Sequence, residues 1–287
     1  MPRRTDGAVS DRLSALQGRG EPGRHLAKLF PDCAQAELFV SAQPWPELEG
    51  CLGILFTSRS GSTYLSREIE SRYRIGQIGE TLNPPQLRSR ALKAGLVSPA
   101  LALRHSVRTL GEGGWFGFKA GPAALAGAEH CGFVDNYLPR MKFILLFRRD
   151  IVAQAVSSAK AQLTGRFHST QEADRQASAD DYAYDTIFRK TKTILKGMRV
   201  LQKYARLSGR PVRSIFYEDF REGDFTTVAA ACDAFEIPLR PQPKTDDRRA
   251  VARIGDEVNK AWCCRFRAEC AGEAAEVLEQ YRALLQG

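Results

Sequence analysis

Residues 57–63, with the sequence TSRSGST, carry side chains of the types that could together bind an anion. An apolar run precedes them and a helical pattern follows, so backbone N–H groups and the positive end of a helix are expected to converge on one negative group. The arginine provides a rigid donor fork, and the glycine allows close backbone approach. An ordinary Ser/Gly turn before a helix is the alternative for this segment alone. The residues assigned to the anion site are Ser58, Arg59, Ser60, Gly61, Ser62 and Thr63.

The same segment lacks the Gly-Lys-Ser/Thr ending of nucleoside-triphosphate-binding loops, in which Lys holds the outer phosphates and Ser/Thr holds magnesium. It therefore predicts a nucleotide bound without a metal. A P-loop-type kinase or nucleotide hydrolase shares the order of strand, anion loop and helix, and it remains the alternative enzyme class, distinguished by magnesium dependence. The cysteines contain no C-x-x-C spacing, so zinc and redox motifs have no support.

Three short apolar runs predict the strands that position this loop. They are residues 52–57, 143–147 and 212–217, and each is followed by polar residues and then by a helical pattern. Asp150 is assigned as the N-cap of the second helix. Strands that alternate with helices form βαβ units, so the predicted fold class is α/β, with a central parallel sheet flanked by helices. Ligands of such sheets bind at the carboxyl ends of the strands, where SRSGST and RRD both fall.

The chain of 287 residues, 43% hydrophobic and 26% charged, is long enough to bury a large core in one domain. Its first part is rich in Arg, Gly and Ser, and Gly and Pro interrupt any long helix there. We predict a partly disordered N-terminal extension over residues 1–45 and one domain over residues 46–287.

Seven cysteines, an odd number, are predicted to be buried reduced thiols of a cytosolic protein. No stretch approaches the roughly 20 apolar residues of a membrane span. The start MPRRTDGAVS lacks the apolar region of a secretory signal. The predicted localisation is therefore cytoplasmic.

The net charge of +9 suits a protein that meets polyanions, and charge alone does not choose among nucleic acid, acidic lipid and a phosphorylated nucleotide. A basic adaptor for nucleic acid or a membrane surface is the non-enzymatic alternative, and it predicts steep salt dependence. Nothing in the sequence matches a groove-reading motif or a stacking platform, so nucleic acid is not expected as a partner.

Four segments in order resemble one family of enzymes. The loop SRSGSTYL, then QIGETLNP, LLFRRDIVAQAVSSAKAQLTGRF and ARIGDEVNKAWCCRFRAE, resemble the motifs of sulfotransferases that use 3′-phosphoadenosine 5′-phosphosulfate (PAPS), and specifically the bacterial trehalose 2-sulfotransferase-like family. The resemblance runs from about residue 52 to residue 270. It implies a P-loop-like sulfotransferase fold, PAPS as co-substrate, no metal, and transfer of a sulfuryl group to a hydroxyl.

The resemblance implies catalytic roles for two residues. Glu80 matches the family's catalytic base for the acceptor hydroxyl, with a helix cap or surface carboxylate as the alternative. Lys119, in GWFGFKAG, resembles a Lys that the family keeps near the site, where it would stabilise the departing oxygen; its alternative is a solvated surface lysine. His168 is the rival base, because animal-type sulfotransferases use His, although a lone His beside Phe167 is more often structural.

The resemblance also implies which residues bind the 3′-phosphate of PAPS. Arg148 or Arg149, together with Ser157, would bind it, because an arginine fork can hold a phosphate through two hydrogen bonds. The alternative for Arg149 is a salt bridge with Asp150 at the helix start. Arg253, in the last motif, would close over the nucleotide.

The acceptor is not named by these motifs. Residues 84–115 depart from the family, which builds much of its acceptor pocket there, so trehalose is not carried over. The expected acceptor is a hydroxyl of a carbohydrate or glycolipid. Contact with a membrane surface, without spanning it, is left open, and the resemblance implies a homodimer. Trp262 is expected to pack in the core rather than touch substrate.

Overall fold

The structure of the protein, a computed structural model, describes residues 11–12, 14, 16, 28–31, 33, 44–167, 172–244 and 255–286. Its centre is a sheet of parallel strands in the order β2-β1-β3-β4. The strands are β1 (Gly50–Phe56), β2 (Trp115–Ala120), β3 (Met141–Phe147) and β4 (Val212–Phe216). The predicted α/β fold with a central parallel sheet is confirmed.

Helices connect the strands and cover the sheet. Between β1 and β2 lie α1 (Ser62–Arg72), α2 (Pro84–Lys93) and α3 (Pro99–Leu110). Between β2 and β3 lie α4 (Pro122–His130) and α5 (Phe133–Tyr137), and between β3 and β4 lie α6 (Ile151–Thr164) and α7 (Tyr184–Leu207). After β4 come α8 (Tyr217–Phe220), α9 (Thr226–Ala234), α10 (Glu257–Glu269) and α11 (Glu273–Gln286).

Alternate residues of each strand face opposite sides of the sheet, so the strands bury two cores. On one face Leu52 and Ile54 of β1 pack with α1 and α9. On the other face Cys51 and Leu55 pack with α3, α4, α6 and α7. Because both faces are covered, β1 and β3 are continuous apolar runs rather than alternating ones, which is why they could be recognised in the sequence.

The three apolar runs correspond to β1, β3 and β4, and Asp150 caps α6, as predicted, by accepting a hydrogen bond from the Ala153 N–H at 3.0 Å. The sequence analysis does not predict β2. Gly117 and Lys119 interrupt its apolar pattern, yet both residues are buried. A Cβ at Gly117 would lie 2.5 Å from Cγ1 of Ile78, so only glycine fits there.

None of the seven cysteines, all of which lie among the described residues, forms a disulfide. Five of them are buried, as predicted, but Cys264 is exposed and Cys270 is half-buried, which corrects the expectation for these two. The reason is the orientation of α10, whose buried face consists of Trp262, Cys263 and Phe266. Within the described residues, no helix combines the length and the apolar character that a membrane span requires.

Residues before the predicted boundary at residue 45 also contribute to the core. Leu16, Phe30 and Cys33 are buried in the same cluster as α4 and α7. The division of the chain at residue 45 stays a prediction, but these contacts tie the N-terminal part to the domain.

Arg12 forms a buried ion pair with the domain. Its Nε donates to Oε1 of Glu129 on α4 at 2.8 Å, and its Nη2 donates to Oδ1 of Asp135 on α5 at 2.9 Å. The hydroxyl of Tyr204 on α7 donates to the same Glu129 oxygen at 2.9 Å. Arg12 and Glu129 are both almost fully buried, so each is the main compensation for the other's charge.

We expect Arg12→Met to lower the free energy of unfolding by about 3–5 kcal/mol, because Glu129 would remain buried without its cation. Urea denaturation followed by circular dichroism measures this loss. The double variant Arg12→Met/Glu129→Gln should recover part of it, since the buried carboxylate is then removed. A loss below about 1 kcal/mol in the single variant would contradict the ion pair.

Candidate active site

An open cleft of about 1540 Å³ lies at the carboxyl ends of the strands. It is bordered by the loop after β1, by the end of β2 and by the start of α6. The chain passes from β1 to β2 on one side and then returns to place β3 on the other side of β1. This is the switch point at which α/β sheets open a crevice for ligands.

The loop between β1 and α1 has an unusual backbone. Gly61 has a φ of 86°, and a Cβ there would lie 2.3 Å from Cδ2 of Tyr217, so both conformation and space require glycine. Arg59 has a φ of 68°, a conformation that side chains other than glycine rarely adopt. Such backbone persists only where the surroundings hold it, and it is found most often at functional sites.

Two side chains hold the loop from the β3–α6 side. Gln154, which is buried, donates from Nε2 to the hydroxyl of Thr57 at 3.0 Å and to the carbonyl oxygen of Ser58 at 2.8 Å. Arg148 donates from Nη1 to the carbonyl oxygen of Arg59 at 3.3 Å. Because these bonds occupy loop carbonyls, they fix the loop without occupying its N–H donors.

Arg59 and Arg148 bring two positive charges to the cleft. Arg59 donates from Nε to the hydroxyl of Ser157 at 3.0 Å, and the Arg148 guanidinium carbon lies 5.0 Å from the ring centroid of Tyr217. Neither forms an ion pair with a carboxylate of the described residues. Burial lowers the pKa of Arg59, and the nearby charge of Arg148 lowers it further. The site therefore favours an anion.

Arg149 faces away from this cleft. Its guanidinium pairs with the carboxylate of Asp219, with an Nη2–Oδ2 distance of 3.1 Å, and lies over the ring of Phe216. Its hydrogen bonds to Asp219 raise the pKa of Arg149. Asp150 pairs with Arg267 at 2.7 Å, so the salt bridge expected between Arg149 and Asp150 is not formed. Of the two adjacent arginines, only Arg148 lines the cleft.

Lys119 and Glu80 meet beside the anion loop. The ammonium group of Lys119, at the end of β2, donates to the hydroxyl of Thr63 at 2.8 Å and lies 3.7 Å from Oε1 of Glu80. Lys119 is only 6% exposed, so it is not a solvated surface lysine. Burial lowers its pKa, and the nearby carboxylates of Glu80 and Glu70 partly oppose that shift.

The segment that carries Glu80 is fixed at two points. The N–H of Lys119 donates to the carbonyl oxygen of Gly79 at 2.9 Å, so the segment lies parallel to the end of β2. The N–H of Ile78 donates to Oε1 of Glu70 on α1 at 2.6 Å. Burial raises the pKa of Glu70, while this hydrogen bond opposes the shift. Glu80 itself accepts a long hydrogen bond, 3.4 Å, from the side-chain amide of Asn83.

The remaining expected site residues lie as follows. Ser58 and Ser62 line the cleft, and Ser60 is buried with a hydroxyl that has no hydrogen-bond partner in the described part of the chain. Trp262 is buried, as expected, and its indole donates to the carbonyl oxygen of Ser178 at 3.2 Å. Arg253 and His168 lie outside the described residues.

Two residues that shape the site, Tyr217 and Glu70, have no role assigned from the sequence. Tyr217 is the last residue of the third predicted strand and directly follows the observed β4, at the same sheet edge as the anion loop, so its position was a usable signal. Glu70 had no such signal, because its partner Ile78 belongs to an irregular segment. Among the described residues, no cluster of His, Cys, Asp and Glu has the arrangement of a metal site.

Comparisons with known proteins define the class of enzyme. The model of the family described as "Stf0 sulphotransferase" matches residues 124–269, which is just over half of the chain. The protein is a sulfotransferase. It belongs to the Stf0 sulphotransferase family, and the predicted resemblance is confirmed. The matched range contains Arg148 and Ser157, whereas the anion loop, Glu80 and Lys119 precede it.

One similar solved structure is the sulfotransferase domain from the Synechococcus PCC 7002 olefin synthase. It is 13% identical to this chain with a TM-score of 0.47, and the match covers 84% of this chain and 98% of that one. No curated protein sequence matches this chain.

Gly61 and Gly95 provide a matched test of the loop. Both have positive φ, but a Cβ at Gly95 would meet nothing within 4 Å. Gly95→Ala should therefore lower the free energy of unfolding by only the backbone cost, about 1–2 kcal/mol. Gly61→Ala should cost about 1–3 kcal/mol more, because its methyl group overlaps Tyr217. Urea denaturation of both variants measures the difference.

A double-mutant cycle with Tyr217→Ala identifies the source of that difference. Removing the ring should relieve the overlap, so the two changes should couple by about 1–2 kcal/mol. Equal losses for Gly61→Ala and Gly95→Ala would mean that Tyr217 does not pack against the loop.

Proposed function

We propose that the enzyme transfers the sulfuryl group of PAPS to a hydroxyl of a carbohydrate or glycolipid. The observation that carries the proposal is the convergence, in one cleft, of the anion loop and the Arg59–Arg148–Ser157 cluster, which has no carboxylate partner in the described chain. PAPS has two separate anionic groups, a 5′-phosphosulfate and a 3′-phosphate. Two adjoining anion sites suit such a nucleotide better than one with a single phosphate chain.

The donor would use both sites. Residues 58–63 would hold the 5′-phosphosulfate through backbone N–H groups and hydroxyls at the start of α1. Arg148, rather than Arg149, would bind the 3′-phosphate together with Ser157, because Arg149 is committed to Asp219. Arg59 lies between the two sites through its hydrogen bond to Ser157 and can serve either anion. Arg253 stays a predicted nucleotide contact.

In the transfer step, the acceptor oxygen forms a bond to sulfur while the bond between sulfur and the 5′-phosphate oxygen breaks. The products are a sulfate ester and 3′-phosphoadenosine 5′-phosphate. Positioning and charge stabilisation supply most of the catalysis in such a transfer, as in phosphoryl transfer. The prediction that no metal is required rests on the loop sequence, which has no magnesium-binding Lys-Ser/Thr ending.

Glu80 would remove the proton of the acceptor hydroxyl, and Lys119 would stabilise the negative charge that develops on the departing oxygen. Lys119 is suited to this role because its ammonium group contacts both Thr63 of the anion loop and Glu80. It therefore lies between the donor site and the base.

The rest of the cleft would accept the second substrate. Its volume of about 1540 Å³ exceeds the roughly 300–1,000 Å³ of common ligand pockets, which leaves space beside a nucleotide. Asn83 and Gln86 line the side next to Glu80 together with Pro84 and Pro122. Amide side chains beside small apolar surfaces suit a sugar, because they can donate to and accept from hydroxyls. A cytoplasmic location and a homodimer stay predictions.

Nucleotide binding tests the donor assignment. Isothermal titration of the metal-free protein should give tighter binding for 3′-phosphoadenosine 5′-phosphate than for AMP or for ATP with magnesium. Arg148→Ala should weaken that binding about 10- to 100-fold, as expected for lost hydrogen bonds to a charged group. Arg149→Ala is the matched control and should leave the dissociation constant nearly unchanged. No preference over AMP, or tighter binding of ATP with magnesium, would contradict the assignment of PAPS as the donor.

Kinetics test the base. Glu80→Gln should lower kcat by about 10²- to 10⁴-fold, while the affinity for 3′-phosphoadenosine 5′-phosphate stays the same, because the base acts on the acceptor. Radiolabelled transfer from PAPS to a panel of sugars and glycolipids measures kcat. A variant that keeps full activity would move the assignment of the base to another residue, such as His168.

A further inference from the structure

The turn between α2 and α3 exposes apolar side chains. Leu92 is 61% exposed and Val97 is 52% exposed. Only three other large hydrophobic residues of the described chain are comparably exposed, and they are scattered along it at Phe167, Leu207 and Leu239. Singly exposed hydrophobic residues are normal on a protein surface, but two at one turn mark a patch.

The same hairpin carries only positive charge. Residues 81–111 contain no Asp or Glu, whereas they contain five Arg and Lys residues. Lys93 and Arg108 are exposed, and Arg88 is partly exposed. Arg104 is buried over the ring of Trp45, and Arg90 donates to the hydroxyl of Thr81, so these two do not act at the surface. Lys93 adjoins the turn, whereas Arg108 lies near the far end of α3, so the tip is apolar with one exposed cation beside it.

The hairpin is anchored from its inner side. Leu87 and Ala91 of α2 pack against Leu103 and Val107 of α3 in the main core. At the turn, the N–H of Leu96 donates to the carbonyl oxygen of Ala91 at 2.8 Å. The inner residues and this turn hold the hairpin, whereas Leu92 and Val97 are mostly exposed and bury little surface in the core.

We propose that the tip of this hairpin, Leu92 and Val97 with Lys93, docks the enzyme on an anionic lipid bilayer. Apolar side chains enter the boundary between headgroups and acyl chains, and lysine and arginine pair with acidic lipids around them. A nucleic acid would use the cations but not the leucine and valine, since its outer surface is phosphate. The combination of both features favours a bilayer.

Docking would bring the cleft close to the lipid. α2 begins at Pro84, which lines the cleft beside Glu80, and ends at Lys93. A helix of 10 residues is about 15 Å long, so the acceptor side of the cleft would lie one such length from the headgroups. Provided that the proposed function holds, a glycolipid acceptor could then be taken directly from the bilayer surface.

Vesicle sedimentation with the full chain tests the apolar tip. We expect binding to phosphatidylcholine vesicles that contain about one third phosphatidylglycerol, and little binding to pure phosphatidylcholine. Leu92→Ser/Val97→Ser should reduce the partition coefficient about tenfold. Leu239→Ser removes a leucine that is equally exposed, at 63%, but is remote in sequence from the hairpin, and it should leave binding unchanged. Equal losses in both variants would overturn the proposal.

Charge reversal tests the cationic part. Lys93→Glu should reduce binding at least about fivefold, and about 0.5 M salt should reduce binding of the wild type. Lys203→Glu, on α7, is the control for net charge and should leave binding nearly unchanged. If a DNA duplex binds as well as the vesicles and Leu92→Ser/Val97→Ser does not weaken it, the surface is a nucleic-acid site and the proposal is wrong.

Titration with 3′-phosphoadenosine 5′-phosphate separates this proposal from the proposed function. Every hairpin variant should bind the nucleotide like the wild type, because none of the changed residues lines the cleft. Vesicle binding without nucleotide binding would overturn the donor assignment alone, and nucleotide binding without vesicle binding would overturn the docking surface alone.

Discussion

The guanidinium groups of Arg59 and Arg148 are held near each other with no carboxylate of the described chain to neutralise them. Like charges in a partly buried place repel, so the surrounding structure must maintain them there. The left-handed backbone of Arg59, the hydrogen bonds from Gln154 and the ring of Tyr217 all serve this end. A bound anion would therefore reduce the repulsion between the two guanidinium groups.

The second constraint is the depth of Lys119. A buried lysine is tolerated only where it is paired, and its partners Thr63 and Glu80 come from different parts of the chain. Lys119 belongs to β2, Thr63 belongs to α1, and Glu80 belongs to the irregular segment before α2. One ammonium group therefore links these three elements at the cleft, in addition to the sheet pairing and core packing that hold them.

The sequence was sufficient to locate the sheet edge and the loop between β1 and α1, and insufficient for the side-chain pairings across that edge. β1 and β3 are apolar runs followed by charged residues, so periodicity and punctuation identify them. β2 was missed because Gly117 and Lys119 interrupt its apolar pattern. Gly117 is needed for the close approach of Ile78, and Lys119 pairs with Glu80; both contacts are visible only in the tertiary structure. Adjacent arginines 148 and 149 could not be distinguished either, since the distinction depends on Asp219, which is 70 residues away.

The Arg12 ion pair also has a consequence for synthesis of the chain. Arg12 and Glu129 are separated by 117 residues, and Glu129 and Tyr204 by a further 75. At about 5–20 residues per second, a ribosome needs roughly 6–23 s to produce Glu129 after Arg12. Throughout that interval the N-terminal segment has no native partner for its arginine. The ion pair cannot close before that interval has passed, and nascent-chain binding factors have several seconds in which to meet this segment first.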